Sequence, residues 1–289
     1  MDNYNGVILI NKPKGWTSQD VASKIKRVLH VNRIGHAGTL DPMATGVLVV
    51  LVGSATKLSD YLMSDEKEYE CEILIGKATD TEDCSGTLIA EQHVDMIENI
   101  DDVLNGMIGS LEQTPPMYSS VRFQGRKLYE IAREGLVVER EKRTIEVKTL
   151  ERTSDLVYED GCCKFKFKTS VSKGTYIRTL CVEIGNRLGY PALMNNLNRT
   201  KSGSFHLENC VSIDDVLNNN YHLYSNYEII KMKQLNIIEI RGRLLEKVLH
   251  GMKIRLDCQD EAVFLVSDNN LIAIYEKEND FYKAKRVWN

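Results

Sequence analysis

One carboxylate stands apart in this chain. Asp41 lies within Gly38-Thr39-Leu40-Asp41-Pro42-Met43-Ala44-Thr45-Gly46-Val47-Leu48, between a Gly-Thr-Leu approach and a proline. Pro42 has no N–H and biases Asp41 toward extended backbone, so the acid is presented on a turn that leads into an apolar strand. An acid held this way can serve as a nucleophile or a base, although Asp-Pro also forms ordinary turns. Two other residue types join it. Tyr69 is on the apolar side of an alternating segment, Tyr69, Cys71, Ile73 and Ile75 against Glu68, Glu70 and Glu72. Arg178 falls in the first turn of a predicted helix, where the helix dipole disfavours a cation, and Asp41 is the attractive anionic partner within the chain.

The elements that must position these groups follow from periodicity. Residues 6–10 form a buried strand that runs into a Pro/Gly turn, with Ser18 expected as N-cap of a helix whose apolar face is Val21, Ile25, Val28 and Leu29. Residues 47–52 form a buried strand, and a helix is expected from Gly53-Ser54 through Leu62. The strand carrying Tyr69 spans 67–76. An acidic amphipathic helix is expected over 94–108, then an exposed arm over 113–145 that mixes bases and tyrosines. Lys164, Lys166 and Lys168 make a basic outer strand face. The helix carrying Arg178 has Ile177, Leu180, Cys181, Ile184 and Leu188 on its stripe and Gly189 as its C-cap. From residue 237 onward short strands predict a small β-rich unit.

The net charge of −4 argues against a nucleic-acid partner until its distribution is considered. Residues 79–113 hold nine acids and no Lys or Arg, whereas 161–205 hold eight bases and one acid, and 1–40 hold six bases and two acids. That segregation permits a basic face of the kind phosphate backbones require. The seven cysteines contain no Cys-x-x-Cys, which speaks against a structural zinc site and for reduced thiols. No apolar run approaches the roughly 20 residues of a membrane span, and Met1-Asp2-Asn3-Tyr4 opens no signal peptide. A cytoplasmic location is the expectation.

Lys12-Pro13-x-Gly15-x-Thr17-Ser18 and Gly35-His36-x-Gly38-Thr39-Leu40-Asp41-Pro42-x-Ala44-x-Gly46-x-Leu48 strongly resemble the bacterial tRNA pseudouridine-55 synthases, the TruB family. So do Lys67-x-Tyr69, Thr79-Asp80-Thr81-x-Asp83-x-x-Gly86 and Gln113-x-Pro115-Pro116-x-Tyr118-Ser119. Gly125-Arg126-x-Leu128-Tyr129, Ser172-Lys173-Gly174-Thr175-Tyr176-Ile177-Arg178 and Leu197-x-Arg199-Thr200 continue the match in order to about residue 205. Asn198, where the family often has Arg, is a departure outside the chemistry.

The resemblance implies an α+β pseudouridine synthase fold: a mixed, largely antiparallel sheet with flanking helices over 1–232, with an RNA-contacting insertion around 113–145. A PUA-like RNA-binding domain over 233–289 would follow, on a looser match. It implies isomerisation of uridine 55 in the T stem-loop of tRNA, by flipping the base, breaking N1–C1′ and joining C5 to C1′. The reaction has no net redox change, and no cofactor or metal is expected. Asp41, Tyr69 and Arg178 would be catalytic, and His36, Tyr69, Tyr176, Leu197 and Arg199 would bind substrate. A monomer without an obligate protein partner is expected. A non-catalytic tRNA-binding or tRNA-folding protein on the same scaffold is the alternative, and presence of the acid at 41 counts against it.

Overall fold

Continuous apolar runs fold into strands buried on both faces, and alternating ones into strands that cover a core on one side. The computed structural model describes residues 4–63 and 66–288; residues 1–3, 64–65 and 289 lie outside the described part, and so does most of the Met1–Tyr4 opening considered above. The main sheet contains β1 (Gly6–Lys12), β2 (Ile34–Ala37), β3 (Thr45–Val52), β4 (Lys67–Ile75), β5 (Gly109–Gln113), β6 (Arg143–Arg152), β7 (Cys162–Val171) and β8 (Ala192–Ser202). Its order is β1-β3-β8-β4-β7-β6-β5, with β2 pairing on β3. The ladders are antiparallel except β3 with β8, a parallel seam of two register pairs, Asn198↔Thr45 and Arg199↔Gly46.

Registers carry the functional geometry. Lys12 pairs with Gly46, Gly46 with Arg199, Arg199 with Tyr69 and Tyr69 with Thr169. One row across five strands therefore holds two cations and the tyrosine. The alternating pattern of β4 is realised as expected, with Tyr69, Cys71, Ile73 and Ile75 buried. Helix α1 (Ser18–Val28) packs Val21 and Ile25 onto the sheet, and α2 (Ile177–Leu188) buries Ile177, Leu180, Cys181 and Ile184 and ends at Gly189 in the left-handed region.

Some expectations change. Thr17, not Ser18, is the N-cap of α1, because its hydroxyl accepts from the Asp20 N–H at 3.0 Å while the Asp20 carboxylate accepts from the Thr17 N–H. The acidic helix over 94–108 shrinks to Ile100–Asn105. The Val94 N–H donates to Gly161 O at 2.9 Å and the Ile97 N–H to the Tyr158 hydroxyl at 3.0 Å, which holds 94–97 extended against a hairpin. The segment after β3 divides into a 3-10 turn, Gly53–Leu58, and a short helix, Ser59–Met63. The lysine face of β7 is not a free basic surface. Lys166 and Lys168 pair in register with Glu72 and Glu70 of β4, and Lys168 reaches Glu68 at 3.1 Å. Charges separated in sequence are thus neighbours in space.

The last sheet has β9 (Ile237–Glu239), β10 (Ala262–Ser267), β11 (Asn270–Glu278) and β12 (Phe281–Val287) in that order, with α3 (Gly242–Leu249) between β9 and β10. Phe264, Val266 and Ile274 of this sheet share one apolar cluster with Leu58, Leu62, Val7 and Leu9. Burial of those side chains fastens the C-terminal sheet onto the first core. Among the described residues, no helix is long and apolar enough to cross a membrane.

Candidate active site

The loop bearing Asp41 is held by three side chains from three elements. Ser18, at the start of α1 and buried, accepts from the Leu40 N–H at 2.8 Å and donates to Leu40 O at 3.1 Å. Lys12, wholly buried at the end of β1, donates through Nζ to Pro42 O at 3.3 Å, Trp16 O at 2.7 Å and Pro13 O at 2.9 Å. Arg199, also wholly buried, donates to Val47 O at 2.8 Å, Gly38 O at 3.0 Å and Thr39 O at 3.4 Å. A buried cation is costly unless its donors are satisfied. Both cations are satisfied here by backbone carbonyls, Arg199 at the two ends of the Asp41 loop and Lys12 between its own turn and Pro42 of that loop, so the energy that would otherwise oppose their burial ties the loop in place.

Asp41 faces Arg178 of α2. Nη2 donates to Asp41 Oδ1 at 3.2 Å, and Nε stands 2.8 Å from Oδ2 as an ion pair outside hydrogen-bond geometry. The remaining guanidinium donors go to Thr81 O and Tyr118 O, each at 2.9 Å, and Nη1 lies 4.0 Å from the Asp83 carboxylate. Arg178 is itself only 3% exposed, whereas the Asp41 side chain keeps 32% of its surface open to solvent. The pair therefore presents a fixed carboxylate to solvent from an immobile cation. Burial pushes the Asp41 carboxyl above the usual aspartate range, Arg178 pulls it back, and Asp83 pushes it up again. Asp83 is kept in place by the Thr81 and Ser85 hydroxyls at 2.8 and 2.5 Å.

The Tyr69 ring is 6% exposed and belongs to the cluster that contains Leu40, Ala44, Ile177 and Leu197, the apolar neighbours of the loop and of Arg178. Its hydroxyl makes no hydrogen bond among the described residues, unlike that of an ordinary buried tyrosine. Tyr176 caps α2, pinned by Gln113, whose Oε1 accepts from the Tyr176 N–H at 2.7 Å and whose Nε2 donates to Tyr176 O at 3.0 Å. Burial raises the Tyr176 phenol pKa above its ordinary value. His36 is on β2 and half-buried; its Nδ1 is buried without a partner, and burial together with the Arg199 charge pushes its pKa below the ordinary value. The shift favours its neutral form, and it does not join the Asp41–Arg178 pair.

Arg199, expected among the substrate contacts, lies behind the Asp41 loop. With no exposed surface and its guanidinium directed at loop carbonyls, it positions Asp41 from behind. Lys12, Ser18, Asp83 and Gln113 build the site although sequence reasoning assigns none of them to it; Ser18 is expected only as a helix N-cap. The signals for Lys12 are its place at the head of the Lys12-Pro13-x-Gly15-x-Thr17-Ser18 motif and a lysine closing an apolar strand before a proline.

A mixed, largely antiparallel sheet presenting one partly exposed acid, followed by a small β unit, is the architecture of the pseudouridine synthases. Two solved structures share it over 99% of this chain: "Crystal Structure of a Cbf5-Nop10-Gar1 Complex", covering 84% of that chain at TM-score 0.70 and 24% identity, and "Structure of H/ACA RNP bound to a substrate RNA containing 2'-deoxyuridine", covering 86% at TM-score 0.72 and 22% identity. Residues 26–177 match the profile described as TruB family pseudouridylate synthase (N terminal domain), and 178–252 that of the tRNA pseudouridylate synthase B C-terminal domain. Proteins named tRNA pseudouridine synthase B are 40% identical in Halalkalibacterium halodurans, over 99% of this chain and 98% of theirs, and 38% identical in Streptococcus mutans, over 98% and 99%. The chain belongs to the TruB family of pseudouridylate synthases.

Proposed function

We propose that this protein isomerises uridine 55 in the T loop of tRNA to pseudouridine, acting as a monomer in the cytoplasm, with Asp41 as the catalytic carboxylate. The observation that carries the assignment is the Asp41–Arg178 pair: a carboxylate 32% open to solvent and held at 2.8 Å by a buried guanidinium. The target base stacks inside a folded loop and must leave it, at a cost of a few kcal/mol. Once flipped, it would meet the Tyr69 ring, with Leu197 and Tyr176 as further walls and His36 beside the vacated position. The ionised Asp41 would act at the C1′, C2′ and C6 region, and N1–C1′ cleavage followed by C5–C1′ rejoining leaves no net change of oxidation state. Arg178 keeps the carboxylate ionised and aimed. The unbonded Tyr69 hydroxyl supports a role in proton transfer. The sheet over 237–287 would serve as the second, PUA-like RNA-binding unit, with the boundary near 232/233.

Incubation with unmodified tRNA transcript, followed by mapping of pseudouridine at single-nucleotide resolution, tests this reading. A single product at position 55 is expected. Absence of product, or a product outside the T loop, overturns it.

A further inference from the structure

The catalytic loop has a neighbour on the outer surface that its chemistry does not use. The turn after β1 carries Trp16, 36% exposed, at the edge of an open hollow of about 470 Å³ lined also by Gly15, Asp20, Lys24 and Arg27. Asp20, Lys24 and Arg27 stand at i, i+4 and i+7 and so line one face of α1. The Asp20 carboxylate is engaged in its own capping box, accepting from the Thr17 N–H at 3.1 Å and hydroxyl at 2.6 Å. Neither Lys24 nor Arg27 makes an ion pair among the described residues. The hollow thus combines an indole wall with two uncommitted cations.

Its position is fixed relative to the reaction. The Gly15 N–H donates to Pro42 O at 2.8 Å, and the Lys12 ammonium bridges Trp16 O and Pro42 O at 2.7 and 3.3 Å. The turn and the Asp41 loop are therefore one rigid unit.

We propose that this hollow is an RNA subsite in which an unstacked nucleobase lies on the Trp16 indole while its flanking phosphates meet Lys24 and Arg27. An aromatic face accepts any base, and cations beside it track the backbone, which is the combination single-stranded RNA needs. The proposal rests on tRNA being the substrate, and it adds a second, sequence-tolerant hold on that RNA tied mechanically to the catalytic loop.

Binding measured on the Asp41→Asn background separates this subsite from catalysis. Trp16→Ala is expected to weaken tRNA transcript binding roughly fivefold to a hundredfold, the usual effect of removing a base-stacking aromatic. Lys24→Ala with Arg27→Ala is expected to lower the slope of log affinity against log salt by about 1.5 to 2. In Trp288→Phe protein the remaining indole is Trp16, and its fluorescence should quench saturably with RNA. On the otherwise unmodified enzyme the same changes should raise KM and leave kcat unaltered, with circular dichroism reporting an intact fold. Losses on both an isolated T-arm hairpin and full tRNA place the bound base in the T arm; losses on full tRNA alone place it elsewhere in the molecule. Unchanged affinity in both variants, or an unquenched Trp16, overturns the proposal. So does a salt effect accompanied by no Trp16 effect, which is plain counter-ion attraction. If the wild-type chain forms no pseudouridine, the affinity and quenching results still decide whether the subsite exists.

Discussion

Replacing Gly46 by alanine probes how the active-site loop is held without touching any reacting group. Gly46 has φ of +106°, and a Cβ placed on it would stand 2.2 Å from Arg199 O, 2.7 Å from Arg199 N and 2.7 Å from Asn198 Oδ1. Real Cβ contacts below 3.0 Å essentially do not occur, and two of these three atoms are backbone. Strand β8 must move away from β3, and the two register pairs of that parallel seam cannot both survive. The dihedral strain alone costs about 1–3 kcal/mol. One weakened ladder hydrogen bond adds about 1 kcal/mol, so a loss of roughly 2–4 kcal/mol is expected, or about 3–7 °C in Tm for a chain of this size. The same displacement carries the Arg199 side chain away from Gly38 O and Thr39 O, and with it the support behind Asp41. Thermal unfolding followed by circular dichroism gives the first number. Single-turnover pseudouridine formation well below the transition gives the second, expected to fall by at least about tenfold, since small misplacements of a catalytic group are expensive. A Gly46→Ala protein with Tm within 2 °C of wild type, as an approximate bound, and full single-turnover rate would refute the claim that β8 holds the loop.

Further expectations follow from the same geometry. Asp41→Asn should abolish product while tRNA affinity stays within a few fold by filter binding; substantial turnover by purified protein contradicts the assignment. Tyr69→Phe should slow the chemical step with little effect on affinity, because the ring remains and only its unbonded hydroxyl is lost; an undiminished single-turnover rate removes proton transfer from its role. The rate should depend on pH at both ends. Its acid limb should lie above the ordinary aspartate value, because Asp41 is raised by burial. Its alkaline limb should fall near pH 8, because burial lowers Lys12 to about 8 and deprotonation weakens its grip on Pro42 O. Stability runs the other way in that window: between about 8 and the unfolded value of 10.5 the unfolded chain holds a proton that native Lys12 has released, so the Lys12 contribution to folding stability rises with pH. Lys12→Met should remove that rise in a urea titration series.

Local sequence was enough to single out Asp41 on its turn, the inward side of Tyr69, and Arg178 at the start of a helix closed by Gly189. These depend on periods of 2 and 3.6 and on the stereochemistry of proline and glycine, all of which operate over a few residues. The acidic stretch over 94–108 shows the limit of that reasoning, because hydrogen bonds to Gly161 and Tyr158 outweigh a weak helical preference in its first four residues. The supposed lysine face of β7 shows it again, since only strand pairing revealed Glu70 and Glu72 alongside. What tertiary structure alone decided is the row Lys12, Gly46, Arg199 and Tyr69 across neighbouring strands. Gly46 and Arg199, 153 positions apart in sequence, become register partners there, and no local pattern encodes which strands pair. That pairing buries Arg199, an expected substrate contact, between strands and directs its guanidinium, among the described residues, at the carbonyls of the Asp41 loop.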